Sequence, residues 1–168
     1  FEHELTETLK KKKFDIIQLE GVFMGVYLPL IRKYSEAKVV LRAHNIEHYI
    51  WNRHALVEKN LLKRVYFNLQ NKRLKRFELS VFKSCDAIVT ITKTDEAELQ
   101  KLGCFIPSTT CITGVDIDIY RQATQVQPKP KTVFYFGSMD WLPNSEAVLW
   151  FLNHCWEKIH KAVPDARF

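Results

Sequence analysis

The stretch Asp86-Ala-Ile-Val-Thr-Ile91, followed by Thr92-Lys-Thr-Asp95 and a polar helical run that stops at Gly103, decides the fold. The first six residues are continuous and β-branched, the pattern of a strand covered on both faces of a parallel sheet. Thr92 precedes Asp95 by the spacing of a helix capping box, and glycine is the common residue just past a helix end. A second β-rich run, Thr109-Thr-Cys-Ile-Thr113, comes next. Strand, capped helix, strand is a βαβ unit, and repeated units of this kind build parallel α/β sheets.

The same alternation extends in both directions. Upstream, Asp15-Ile-Ile-Gln-Leu-Glu20 and Lys38-Val-Val-Leu-Arg42 read as strands. Downstream, Thr132-Val-Phe-Tyr-Phe136 reads as a fifth and strongest one. Helices are expected over residues 1–12, 22–34 and 145–161, with two more within 46–84. In that last segment Leu62, Val65 and Leu69 recur at helical spacing, as do Leu74, Phe77 and Val81. The predicted fold is therefore α/β, a Rossmann-like parallel sheet flanked by helices. The polar run Gln125-Val-Gln-Pro-Lys-Pro-Lys131 breaks the alternation and suits an extended linker. It sets expected domains at residues 1–124 and 132–168, joined by the linker 125–131. The second piece is one β-α unit, too small to build a core of its own.

Composition agrees with a globular chain: of 168 residues, 46% are hydrophobic and 26% charged. The longest apolar run, residues 21–30, falls well short of the roughly 20 residues that span a bilayer. Nor does the start of the chain carry the apolar stretch and cleavage site of a secretory signal. Cys85, Cys104, Cys111 and Cys155 form no C-x-x-C pair and read as reduced, mostly buried thiols of a cytoplasmic protein. The chain opens on Phe1 and closes on Phe168 in what reads as the entry to another strand, so a piece of a longer protein is expected.

The net charge of +6 is concentrated over residues 59–83, where Lys59, Lys63, Arg64, Lys72, Arg73, Lys75, Arg76 and Lys83 fall. Such a run is either a solvated helix face or a surface for peripheral contact with the anionic inner leaflet of a membrane. No helix-turn-helix or aromatic-interleaved pattern points to nucleic acid.

Three segments carry candidate chemistry. In Arg42-Ala-His44-Asn45-Ile-Glu47-His48, His44 follows a strand directly, at the edge where open α/β sheets bind ligands. Its imidazole titrates near neutral pH, and Asn45 is an expected cap for the next helix. The alternative is that His44 merely fills a surface loop. The segment also matches H-x-x-E-H, a zinc-protease pattern. That chemistry needs both histidines on one helix face, whereas this helix is expected to start after His44, so no metal is expected. In Phe136-Gly137-Ser138-Met139-Asp140-Trp141-Leu142-Pro143-Asn144, a strand ends at a glycine and a helix begins after a short loop. Glycine admits a close ligand and a helix start favours a phosphate, although an ordinary βα turn has the same pattern. No G-x-G-x-x-G or Walker sequence is present. In Thr113-Gly114-Val115-Asp116, Gly114 is expected to take a positive φ and Asp116 to cap the following turn.

Taken in order, these elements resemble glycosyltransferase family 4, the retaining group with the two-domain GT-B fold. The Arg42-Ala-His44-Asn45-Ile-Glu47 segment is similar to that family's acceptor-side histidine loop. The run from Cys85 to Glu96 resembles its strand followed by an acidic helix. Gly114-Val-Asp116 with Tyr120 resembles the signature before the interdomain linker, although Ile112-Thr113 stands where the family has Pro-Asn. Phe136-Gly-Ser-Met-Asp-Trp141 resembles the opening of the donor domain.

The resemblance implies transfer of a sugar from a nucleotide-sugar donor to a hydroxyl of a sugar or lipid-linked acceptor, in polysaccharide or glycolipid biosynthesis. It implies a catalytic role for His44 beside the transferred sugar. It places Gly137 and Ser138 at the donor diphosphate, with no metal and no cofactor besides that donor substrate. Most of the family's donor domain lies beyond the resemblance, so the chain alone is expected to be inactive. The competing expectation is a non-catalytic Rossmann-like binding module with a basic, membrane-facing helix.

Overall fold

Backbone hydrogen bonds join four strands into one all-parallel sheet in the order β1-β2-β3-β4. They are β1 Ile16–Glu20, β2 Lys38–Ala43, β3 Ala87–Thr90 and β4 Ser108–Thr110. The computed structural model describes residues 1–121 and 127–168, and the chain divides into two compact units, Phe1–Gly114 and Val115–Phe168. The sheet belongs to the first. Its register sets Glu20 beside Arg42, Ala43 beside Thr90, and Thr90 beside Thr110. The carboxyl ends of all four strands therefore finish along one edge. Strand order runs in a single direction, so no reversal of order opens a crevice within these four strands.

Helices fill the crossovers: α1 Glu2–Lys11 before β1, α2 Leu28–Tyr34 after it, the pair α3 Glu47–Val57 and α4 Leu61–Ser84 after β2, and α5 Lys93–Lys101 after β3. This is the expected Rossmann-like α/β architecture. The helix expected over residues 22–34 is divided, because a 3-10 turn over Val22–Tyr27 precedes α2. Pro29 has no N–H to give Gly25 O, and the Leu28 amide takes that carbonyl in 3-10 fashion instead. Helix α5 starts as its spacing predicts. Thr92 Oγ1 accepts the Asp95 amide at 3.0 Å, and Gly103 ends the helix at φ 76°.

The core gathers Leu19, Val39, Leu41, Ala43 and Ile88 from the strands with Leu9, Ile31, Val81, Phe82 and Leu99 from the helices. Contrary to expectation, the strands are not buried on both faces. On β2, Val39, Leu41 and Ala43 are buried while Val40 and Arg42 are half-buried, because alternation turns those two to the less covered face. Cys85 and Cys104 are buried as expected, whereas Cys111 is exposed and Cys155 half-exposed.

At the amino edge of the sheet Asp86 ties three segments together. Its carboxylate accepts the Val39 amide at 2.8 Å, Arg32 Nη2 at 2.7 Å and Lys38 Nζ at 3.1 Å. Arg32 also donates to the carbonyls of Ala37 and Ser84. The Val39 amide first, then Arg32 and Lys38, hold the Asp86 carboxyl far below the usual carboxylate range.

The second unit holds α6 Ile117–Arg121, α7 Leu142–Phe151, a π turn at Leu152–Trp156 and α8 Glu157–Ala162. The strand expected over residues 132–136 does not form. A single parallel bridge joins Thr132 to Arg167, and Phe134 and Phe136 are 81% and 92% exposed. A strand needs a ladder along its length, and this segment meets one partner residue. No described residue of this unit is buried, as expected for one β-α unit without a core. Phe151, Trp156 and Phe168 cluster ring against ring in its place.

Asp116 Oδ1 accepts the Asp118 amide at 3.0 Å and caps the turn as expected. Gly114 is not in the left-handed region; among the described residues the glycines that are there are Gly21 and Gly103. Of the linker expected over residues 125–131, residues 125 and 126 lie outside the described ones, and 127–129 have no regular structure.

Candidate functional site

The carboxyl edge of the sheet collects the polar side chains that the strands deliver. β1 ends at Glu20, and the next residue, Gly21, turns the chain at φ 83°, a conformation that favours glycine. β2 carries Arg42 and releases His44 one residue past its end. His44 Nε2 lies 2.9 Å from Glu20 Oε2, and Arg42 Nη1 reaches the same oxygen at 3.5 Å. Further along the edge, Thr90 Oγ1 and Thr110 Oγ1 are 3.1 Å apart, and Thr110 donates to Glu96 Oε2 at 2.6 Å.

His44 is open to solvent, its side chain 46% exposed. Hydrogen bonds from the Gln18 amide, then His44, hold the Glu20 carboxyl below its ordinary range. With Glu20 ionised, Nε2 is the donor of the His44–Glu20 pair. In the neutral ring Nδ1 is then left as an acceptor for an incoming hydroxyl. A strand-end imidazole steadied by a carboxylate can orient a hydroxyl and accept its proton.

The loop after His44 is anchored from within the core. α3 begins at Glu47, with Ile46 at the cap position and no side-chain cap. Asn45 is therefore not the cap expected of it, and its amide only approaches Glu47 Oε1 at 3.5 Å. Glu78, on the buried face of α4, does the capping from thirty residues away in sequence. Its carboxylate accepts the Glu47 amide at 2.7 Å and the His48 amide at 3.2 Å, and it also meets His48 Nδ1. Glu78 is fully buried and His48 is 2% exposed. Burial, with Glu78 nearby, pushes the Glu47 carboxyl up, while the Asn45 amide opposes that shift. His48 Nε2 is buried without a hydrogen-bond partner.

The two histidines of the H-x-x-E-H match are thus held apart by the fold. His44 sits on the open edge beside Glu20, before the helix starts, and His48 is shut in the core against Glu78. Among the described residues no group of three or more His, Cys, Asp or Glu is placed to hold a metal ion.

Two more groups have raised pKa values, Tyr49 on α3 and Cys85 at the end of α4, before β3 starts. Tyr49 donates to Glu98 Oε2 at 3.0 Å, and burial, then that carboxylate, push its hydroxyl above the ordinary value. Cys85 is pushed up to about 11 by burial and is a protonated packing thiol at neutral pH.

No protein-family profile, curated protein or solved structure matches this chain. The assignment of a site rests on its own geometry.

In the second unit Gly137 and Ser138 lie in the exposed turn before α7. A Cβ on Gly137 would stand 2.9 Å from Tyr135 Cε1 and 3.0 Å from Asn144 Nδ2, so these two side chains already crowd that approach. Ser138 O accepts Asn144 Nδ2 at 2.9 Å. The Asn144 amide is given to Trp141 O, and Pro143 has no N–H, which leaves the start of α7 few amides for an anion.

Glu20 and Glu78 escaped the sequence reading. Glu20 ends a β-rich run just as Arg42 does, and that shared position was its signal. Glu78 sits four residues after Leu74 and four before Phe82. An acid on the buried stripe of an amphipathic helix was the clue to an internal partner.

Proposed function

We propose that this chain serves glycosyl transfer from a nucleotide-sugar to an acceptor hydroxyl, as part of a GT-B type glycosyltransferase of polysaccharide or glycolipid assembly. The observation that carries the proposal is the exposed His44 at the carboxyl end of β2, its Nε2 held by Glu20 and its loop anchored by Glu78. An imidazole so held suits a contact with a hydroxyl of the sugar in transit, strengthening as positive charge develops at the anomeric carbon. In this reading the donor diphosphate would meet the Gly137–Ser138 turn only after the Tyr135 and Asn144 side chains that crowd it move aside.

Kinetics of the enzyme that carries this sequence test the proposal. A contact made mainly in the transition state lowers kcat when removed and leaves KM nearly alone. His44→Ala is expected to lower kcat by about 10²-fold, the scale of one preorganised polar contact. Nucleotide affinity should hardly move, and the variant should melt within a few degrees of the parent. A stable His44→Ala enzyme with undiminished kcat would remove His44 from the chemistry. The His44 side chain is 46% exposed, so folding loss is not the expected outcome, and undiminished kcat would leave His44 as a residue that merely fills a surface loop.

A further inference from the structure

The α3–α4 hairpin carries a surface that the glycosyl-transfer proposal does not use. Along α4, Leu62, Val65, Leu69, Lys72, Arg76 and Lys83 follow one another at intervals of three, four or seven residues, which places them on one stripe of the helix. The stripe is exposed throughout and changes character midway. Leu62, Val65 and Leu69 are 83%, 57% and 56% exposed, and the basic residues follow one turn further on. Leu56 and Val57 at the end of α3, with Leu61 at the start of α4, extend the apolar end around the hairpin tip, all with most of their area in solvent. An apolar cluster of this kind on a surface marks an interaction site.

Charge says which partner. From residue 59 to residue 77 the chain contains no Asp or Glu. Among the described residues none of Lys59, Lys63, Arg64, Lys72, Arg73, Lys75 and Arg76 forms an ion pair. Seven such cations on and behind a largely apolar tip, whose one acid is Glu58, match a surface that is apolar inside and anionic at its boundary. A second copy of the chain fits poorly. Parallel pairing of the stripe sets basic half on basic half, and antiparallel pairing sets apolar half on basic half. Nucleic acid would use the cations but not the leucines.

We propose that the tip of the α3–α4 hairpin inserts into an anionic lipid leaflet, with the basic half of the α4 stripe lying against the headgroups. Apolar side chains enter the boundary between headgroups and acyl chains, and the cations supply attraction to phosphate. No helix among the described residues is long and apolar enough to cross a membrane, so the contact is peripheral. It stands on the surface alone and holds whatever reaction the protein performs.

Cosedimentation of the chain with vesicles of phosphatidylcholine, with and without phosphatidylserine, tests this. The expected result is binding to the anionic vesicles and none to the neutral ones. The triple change Lys72→Gln, Lys75→Gln, Arg76→Gln should weaken binding about a hundredfold and flatten its dependence on salt. The triple change Leu62→Ser, Val65→Ser, Leu69→Ser should weaken it at least tenfold and leave the salt dependence in place. All six side chains are exposed, so circular dichroism should show both variants folded. Equal binding to neutral vesicles, or no loss in either variant, would overturn the proposal. So would a chain that ignores vesicles but dimerises by way of the leucines, or one that reaches lipid only through an acidic protein.

Discussion

Asp86 and Glu78 are carboxylates whose value depends on what donates to them. Asp86 at the amino edge accepts the Val39 amide, Arg32 and Lys38, and these partners depress its pKa. A carboxylate with a depressed folded pKa contributes stability above its unfolded value of about 3.9, and loses it as pH falls through the folded value. Asp86→Asn should therefore lower Tm by a few degrees at neutral pH, with the gap to the parent closing in acid below about pH 4. Thermal melts over a pH series check this; a gap independent of pH would mean that the ionised form adds nothing. Glu78 is different because it is sealed in the core and caps α3 across the fold. Glu78→Ala strands two backbone amides and the His48 ring, and should cost about 3 kcal/mol or more in denaturant unfolding. Glu78→Gln keeps one acceptor and should cost less than half as much. If the alanine and glutamine variants were equally stable, the capping role would be wrong. Of the site residues, His44 was legible because it follows a strand; its partner Glu20 was not, since only register brings the ends of β1 and β2 together.

At the scale of elements, local signals succeeded where the chain alone satisfies them. Thr92 and Gly103 bound α5 as their types dictate, and Asp116 caps its turn. They failed where a distant group supplies the partner, as at Asn45, displaced by Glu78. The two stripes of α4 show the same limit. Leu74, Phe77 and Val81 and Leu62, Val65 and Leu69 have equal claims as buried faces by periodicity, yet Phe77 and Val81 pack on the core, Leu74 is half-buried, and the second set faces solvent. The 3-10 turn before α2 lies against the inner stripe. A Cβ on Gly25 would collide with the side chain of Val81. Gly25→Ala should destabilise the fold by about 1–3 kcal/mol, the usual cost of overpacking, and Val81→Ala placed in the same chain should recover part of it. Equilibrium unfolding of the two single variants and the double reads this coupling; strictly additive losses would show that the turn and α4 do not press on each other.

For the whole molecule, sequence by itself determined the α/β class, the four strands of the first unit and the helices between them, because alternating β-branched and amphipathic runs are written in local order. It also marked His44 at a strand end and the cations of residues 59–83. Only the tertiary structure decided what those features meet. The run from Thr132 to Phe136 has every local mark of a strand and remains a single bridge, since a strand exists by its neighbours and this one has a lone partner in Arg167. The tertiary structure likewise joined His44 to Glu20, closed His48 away against Glu78, and left Leu62, Val65 and Leu69 in solvent. The physical reason is common to all four. Periodicity and composition fix what one segment prefers, whereas pairing, burial and charge neutralisation are properties of two segments, and they are settled only when folding brings the second one into reach.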